Sequence, residues 1–246
     1  MPRGRVALLV SIALGLLLAC SPLQGLPVYE PIVDGSICAG RLALSLSQAR
    51  LYADATGRWW LIGEVQNTLA PRADYADVVL LTQADAQAPQ QVERLFLSSS
   101  LPLRRSVPFR LLLRKTQITE RSLVKAAVCL SDQTLNSAAH EERYYAFMTK
   151  VHMLHLAGGV VQVSGEVRNS GEQSANEVYV VVGLYDARRQ LAGVAEALVT
   201  DLVPIAPGET YTFTATTNRL LGEARHYMAF AEGIVLQEAA LPVLGR

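Results

Sequence analysis

The sequence predicts an all-β protein, two tandem antiparallel β-sandwiches that follow a signal peptide and a flexible tether. Three observations predict it. The stretch Gly63-Glu64-Val65-Gln66-Asn67 returns as Gly165-Glu166-Val167-Arg168-Asn169, 102 positions later in a chain of 246 residues. Val, Thr, Tyr and Leu fill short segments bounded by Gly, Pro, Asn and Asp, which is the composition of strands joined by turns. A long apolar run, Val6 to Leu18, stands at the very start of the chain.

That run follows the basic pair Arg3 and Arg5 and is 13 residues long. A helix needs about 20 apolar residues to cross a hydrocarbon core, so residues 1–19 read as a signal peptide. The run ends in Leu17-Leu18-Ala19-Cys20, which resembles the bacterial lipobox. The resemblance implies cleavage before Cys20 and a thioether-linked diacylglyceride on its sulfur. The lipid membrane would then be a partner through acylated Cys20, with the protein at the extracytoplasmic face of the cell membrane. Ordinary secretion with an incidental Cys20 is the alternative. Residues 20–36 follow as a tether, since Pro22, Pro27 and Pro31 interrupt any helix and no apolar period emerges. Extended, the 16 residues after Cys20 reach about 50 Å.

The chain balances 22 basic against 22 acidic residues. Loss of Arg3 and Arg5 leaves a net charge of −2, and no basic tract stands out, so no nucleic-acid partner is expected. From Cys20 onward 227 residues remain, enough for two domains. These are placed at 37–137 and 138–236, with a C-terminal tail at 237–246.

The repeat sets that division. At an offset of 102, Phe109, Leu111 and Leu113 fall on Tyr211, Phe213 and Ala215, and Val124–Val128 falls on His226–Phe230. A period near 100 is too long for a solenoid unit and matches one β-sandwich domain. In Tyr211-Thr-Phe-Thr-Ala-Thr-Thr217 apolar residues alternate with threonines, the pattern of a strand with one wet face. The stretch from Glu177 to Leu184 is apolar on both faces and reads as a doubly covered strand. Asp186 opens a turn by bonding its own backbone two residues on, and Pro207-Gly208 makes the sharp entry to the next strand.

The second half is similar to an FxLYD domain, an immunoglobulin-like module of bacterial and archaeal surface proteins. The residues that carry this are Val182-Gly183-Leu184-Tyr185-Asp186, with GEVRNSGEQSANEV before them and IAPGETYTF after them. The likeness spans roughly residues 145 to 235. It implies an immunoglobulin-like sandwich and no catalytic residues. The first half keeps only the aspartate of that motif, in Leu81-Thr-Gln-Ala-Asp85, and has no Pro-Gly before Phe109. Its kinship to the second half rests on the repeat.

Searching the chain for chemistry yields little. His152 and His155, three apart on a strand, point to opposite faces and cannot chelate one metal. His140 beside Glu141 and Glu142 offers at most a weak cation site. Ser98-Ser99-Ser100 lacks a nucleophile elbow and a positioned base. No phosphate loop, zinc-protease or calcium-loop motif occurs, and the paired carboxylates Glu141-Glu142 and Asp74/Asp77 read as solvated or turn residues. No catalytic residue, metal ligand or cofactor is therefore expected.

Two specific expectations follow. Cys38 and Cys129 are the thiols left once Cys20 is lipidated, in a compartment that favours disulfides. They stand before the first strand and in the last strand of domain one, where a bridge can close; two buried free thiols are the alternative. Trp60 and Ile62 align with Gln162 and Ser164, so a face that is polar in the second copy is apolar in the first and needs a cover. A loop of domain one, the other domain, the tether or an outside partner could supply it. Trp59, Leu61 and Val65 should face the sandwich core. Functionally, the sequence points to a non-enzymatic, membrane-anchored surface lipoprotein, an interaction or spacer module with an envelope protein or polymer as partner. The alternatives are a solute-binding lipoprotein of a transport system and an enzyme acting on envelope polymers.

Overall fold

The computed structural model describes residues 27–39, 41–68, 76–83, 90–97, 104–114, 118, 123–131, 143–155, 161–217 and 220–235. The expected signal peptide, Cys20, Ser98–Ser100, His140 with Glu141 and Glu142, Asp74 and the C-terminal tail lie outside these residues. Among the described residues strand follows strand, broken by one 3-10 turn, and the architecture is two immunoglobulin-like antiparallel β-sandwiches in tandem.

The first sandwich begins with two short strands, β1 (Val28–Tyr29) and β2 (Ile32–Val33), then a 3-10 turn at Gly35–Cys38. Six longer strands follow: β3 (Ala43–Ala53), β4 (Trp59–Gln66), β5 (Ala76–Gln83), β6 (Gln90–Leu97), β7 (Ser106–Leu112) and β8 (Leu123–Leu130). One layer runs β1-β3-β4-β7 and the other β6-β5-β8-β2. Strand β3 serves both layers, pairing with β8 at Ala43 and Leu44 and with β4 from Ser45 onward. A bulge between Ser47 and Arg50 bends β3, with Gln48 at φ 51°. Leu51, Leu61, Val65, Val78, Leu80, Val107 and Val128 fill the space between the layers.

The second sandwich comprises β9 (Arg143–Tyr144), β10 (Phe147–His155), β11 (Val161–Asn169), β12 (Ala175–Tyr185), β13 (Leu191–Leu198), β14 (Thr210–Thr217) and β15 (His226–Val235). Its order is β10-β11-β14-β13-β12-β15-β9, closed at one seam by the single pair Glu196–Thr216. Val163, Val167, Val178, Val180, Val182, Leu184 and Phe213 form its core.

The repeated pentapeptide now has a physical account. Gly63 pairs with Phe109 and Gly165 with Phe213. In both cases the ring lies over the glycine, where an added Cβ would meet it at 2.9 Å. Val65 and Val167 are core residues, and Asn67 and Asn169 are fully buried. Asn169 donates to the carbonyls of Gln173 (2.7 Å) and Ile205 (2.9 Å) and accepts from Tyr144 and Gly171, which ties two loops to β9. These contacts correct the sequence alignment on this strand. Phe109 corresponds to Phe213, two residues beyond the expected Tyr211. Upstream, the Arg104 and Gly208 amides each donate at 2.9 Å to the carbonyl of the repeated asparagine, so the connection carries two more residues in the second copy. A two-residue slip preserves every face, because side chains alternate with period two. Arg104, at φ 61°, stands where the second copy has Gly208 at φ 82°.

Two further expectations are corrected. The tether is not free over its whole length. Val28 and Tyr29 pair with Tyr52 and Leu51 of β3, and Ile32 and Val33 run parallel to Lys125 and Ala126 of β8. Proline prevents helix but permits such short edge pairings, and Asp34 adds an ion pair to Lys125 at 2.9 Å. Asp77 is also not solvated: it is 7% exposed and binds Arg41 at 2.7 Å.

Candidate functional site

The most developed constellation of the described residues lies where the two sandwiches meet. On β4, alternation sends Leu61 and Val65 inward with Trp59 packed beside them, and turns Trp60, Ile62 and Glu64 outward. On β12, Val178, Val180, Val182 and Leu184 enter their own core, leaving Val181, Gly183 and Tyr185 on the opposite face. These two outer faces close on each other. Tyr52 and Ile62 of the first sandwich pack with Val181, Tyr185, Leu191 and Val194 of the second, and Trp60, Tyr179 and Leu221 lie at the margin. Ile62 is 0% exposed. The apolar face formed by Trp60 and Ile62 is therefore covered by domain two, and it is not a free surface for an outside partner.

Gly183 permits the close approach. A Cβ there would stand 3.0 Å from the Pro108 ring of β7 and 2.8 Å from the Tyr185 hydroxyl. The Val182–Asp186 segment thus divides its work. Val182 and Leu184 fill the domain core, Gly183 and Tyr185 face domain one, and Asp186 accepts from the Arg188 and Gln190 amides to close the turn.

Beside this apolar centre Tyr185, Glu64, Gln48 and Arg50 each find hydrogen-bond partners, as most buried polar groups do. The Tyr185 hydroxyl donates to one oxygen of the Glu64 carboxylate, and Gln48 Nε2 donates to the other at 3.0 Å. Gln48 Oε1 in turn accepts from the Leu191 amide at 2.5 Å. Arg50 donates to Gln190 Oε1 (2.6 Å) and the Leu191 carbonyl (3.4 Å). Burial raises the Tyr185 phenol well above its ordinary range, and the adjacent Glu64 carboxylate raises it further. The phenol therefore stays protonated and serves as a donor. Glu166, the counterpart of Glu64, is exposed, so the same letter is a surface residue in one copy and a buried acceptor in the other.

A second charged group flanks the first. Arg110 approaches Glu196 at 3.5 Å and lies 5.1 Å from the centre of the Trp60 ring. Burial raises the Glu196 carboxyl, against the pull of Arg110 and a hydrogen bond from Tyr179. On its other edge, Trp60 Nε1 donates to Asp54 at 2.9 Å. Burial works to raise the Asp54 carboxyl. Donation from Thr56, Trp60 and Arg58 outweighs it and holds the group far below the usual range. At the rim, Glu30, Val33, Gln48, Arg50 and Arg189 line an open cleft of about 340 Å³.

The remaining sequence-predicted residues are scattered. Cys38 and Cys129 are joined by a disulfide with Cα atoms 5.5 Å apart, at the far face of the first sandwich. His152 is exposed on β10, and His155 closes that strand. Cys20 and His140 lie outside the described residues, and among those described no three His, Cys, Asp or Glu come together as a metal set. Sequence reasoning missed Glu64, Gln48, Arg50 and Arg110. Their partners lie on the other sandwich, and the sole signal was the apolar-for-polar exchange at positions 60 and 62.

No protein-family model matches the chain, and no curated protein matches it in sequence. Among solved structures it is similar to the crystal structure of red sea bream transglutaminase, at 13% identity and a TM-score of 0.25. That alignment covers 79% of this chain and 31% of the transglutaminase.

Proposed function

We propose that this protein is a non-enzymatic envelope lipoprotein whose two FxLYD-like sandwiches act as one rigid body, displayed close to the membrane as an interaction and spacing module. The observation that carries the reading is the sealed interface, in which Ile62 and Tyr185 are buried and the Glu64–Tyr185–Gln48 network crosses between domains. A pair of freely hinged modules would leave that surface wet and those groups bonded to water. The lipobox-like Leu17–Cys20 supports the anchor. Pinning of residues 28–33 shortens the tether to the eight residues from Cys20 to Pro27, a reach of about 26 Å. The body would then stand at roughly half the height that the sequence alone suggests.

Two measurements test this in a bacterial host. Globomycin should accumulate a longer precursor, and Cys20→Ser should release the protein from the membrane fraction. Spin labels on Glu166 and Arg105 positions, one in each sandwich, should give a single narrow distance distribution. Unchanged fractionation of Cys20→Ser would remove the anchor, and a broad distribution would remove the rigid body.

A further inference from the structure

Strand β10 ends the hydrogen-bonded order of its sheet, paired with β11 on one side and with no described strand on the other, though β15 passes near it. Its pairing with β11 runs without interruption from Phe147–Asn169 to His155–Val161. It contains neither proline nor bulge, two of the devices by which edge strands avoid pairing. The Ala146 carbonyl accepts from Ser170 of the strand β11 end at 2.8 Å, and the Lys150 carbonyl lies against Gly165. Even-numbered backbone groups of β10 therefore face β11. Because antiparallel backbones alternate, the amides and carbonyls of Thr149, Val151 and Met153 face the open edge. Side chains alternate as well. Val151 is in the core, while Met148 (64% exposed), Lys150, His152 and Leu154 (53% exposed) form the outer face.

We propose that this edge pairs with the same edge of a second copy, antiparallel about a two-fold axis through Val151, so that one sheet runs through a symmetric dimer. The free backbone groups fit this register. Val151 would face Val151 of the second copy, and Thr149 would face Met153, each as a hydrogen-bonded pair. Between them, Lys150 would face His152, and Met148 would face Leu154, as the close non-hydrogen-bonded pairs. Both exposed apolar residues are thereby covered twice, once at each end of the interface. Neighbouring registers fail on chemistry. An axis at Lys150 sets two ammonium groups face to face, an axis at His152 sets Lys150 against Leu154, an axis at Thr149 sets Met148 against Lys150, and an axis at Met153 sets Leu154 against His152. A symmetric contact requires a self-complementary strand, and β10 is self-complementary about Val151 alone. The inference does not depend on the lipid anchor.

The test uses two differently tagged full-length copies co-expressed in a bacterial host. One carries Lys150→Cys and the other His152→Cys, with the unsubstituted chain as control. A disulfide-linked heterodimer is expected from the mixed pair. Crosslinking as efficient with Lys150→Cys in both copies would overturn the register. Co-capture of the tagged copies in detergent provides the second arm. Met148→Lys with Leu154→Lys places like charges opposite each other at both ends and should reduce co-capture about ten-fold or more. Met148→Lys with Leu154→Glu restores opposite charges and should return it to near the native level. All four positions are on the outer face, and circular dichroism should show the same fold in every variant. Absence of both crosslink and co-capture in the native chain, or equal capture with the paired lysines, would overturn the proposal, including where a foreign strand occupies the edge instead.

Discussion

Replacing Tyr185 with Phe removes one oxygen from the centre of the interface and leaves the ring in place. Tyr185 and Glu64 are each 8% exposed, so the lost bond cannot be replaced freely by bulk water. No apolar area changes, and the hydrophobic contribution is unaltered. What is lost is the hydrogen bond to the Glu64 side chain, worth about 1.5–3 kcal/mol. Gln48 still donates to the other carboxylate oxygen at 3.0 Å, which places the expected loss near 2 kcal/mol. With a urea dependence of about 2 kcal/mol per molar, the unfolding midpoint should fall by about 1 M. Both tryptophans belong to the first sandwich, and Trp60 borders the interface, so their emission reports the transition. In a cycle with Glu64→Gln, the two substitutions should couple by about 1 kcal/mol. The pH dependence supplies a second reading. The folded phenol titrates above its ordinary value of 10.0, so its contribution is complete below pH 10 and is lost as pH rises beyond it. Tyr185→Phe should lose less stability than the native chain over that alkaline range. A midpoint shift below about 0.3 M, with no coupling to Glu64, would show that the interface is open to water and would refute the rigid-body reading.

Five other outcomes are expected. Cys38→Ala with Cys129→Ala opens a loop spanning 91 positions and should cost about 4–5 kcal/mol in the chain-entropy account, read as the urea midpoint of the first sandwich. Gly165→Ala should destabilise by about 3 kcal/mol, because its Cβ meets the Lys150 backbone as well as the Phe213 ring. Gly63→Ala meets only the side chains of Phe109 and Leu46 and should cost about 1 kcal/mol by thermal denaturation. Gly183→Ala presses on Pro108 and Tyr185 and should speed hydrogen exchange in β4 and β12 while the core of β11 stays protected; unchanged exchange would count against close docking. Hydrogen bonds from Ser36 and Lys125 hold the Asp34 carboxyl down at about 2, below its ordinary 3.8. Its hold on β8 is therefore present above pH 3.8 and is lost as pH falls toward 2, which amide protection of residues 32–34 should follow.

Whatever depends on local period and composition was legible along the chain. Alternation in Thr210–Thr217 and the double apolar faces of Val178–Leu184 made strands legible, and the repeated pentapeptide marked two copies of one sandwich. Alternation also separated Trp59 from Trp60 by face, since neighbouring side chains on a strand must point apart. The disulfide was an expectation because only two thiols remained to be paired. What covers Trp60 and Ile62 was decided by tertiary structure, because the covering residues lie more than a hundred positions away and carry no shared pattern. Glu64 and Glu166 show why. The same residue in the same repeat is buried against Tyr185 in one sandwich and solvated in the other, and only the placement of the second sandwich distinguishes them. The two-residue offset between Phe109 and Phe213 was hidden for a related reason. A period-two pattern looks identical after a slip of two, and only the pairing of each ring with its glycine sets the register.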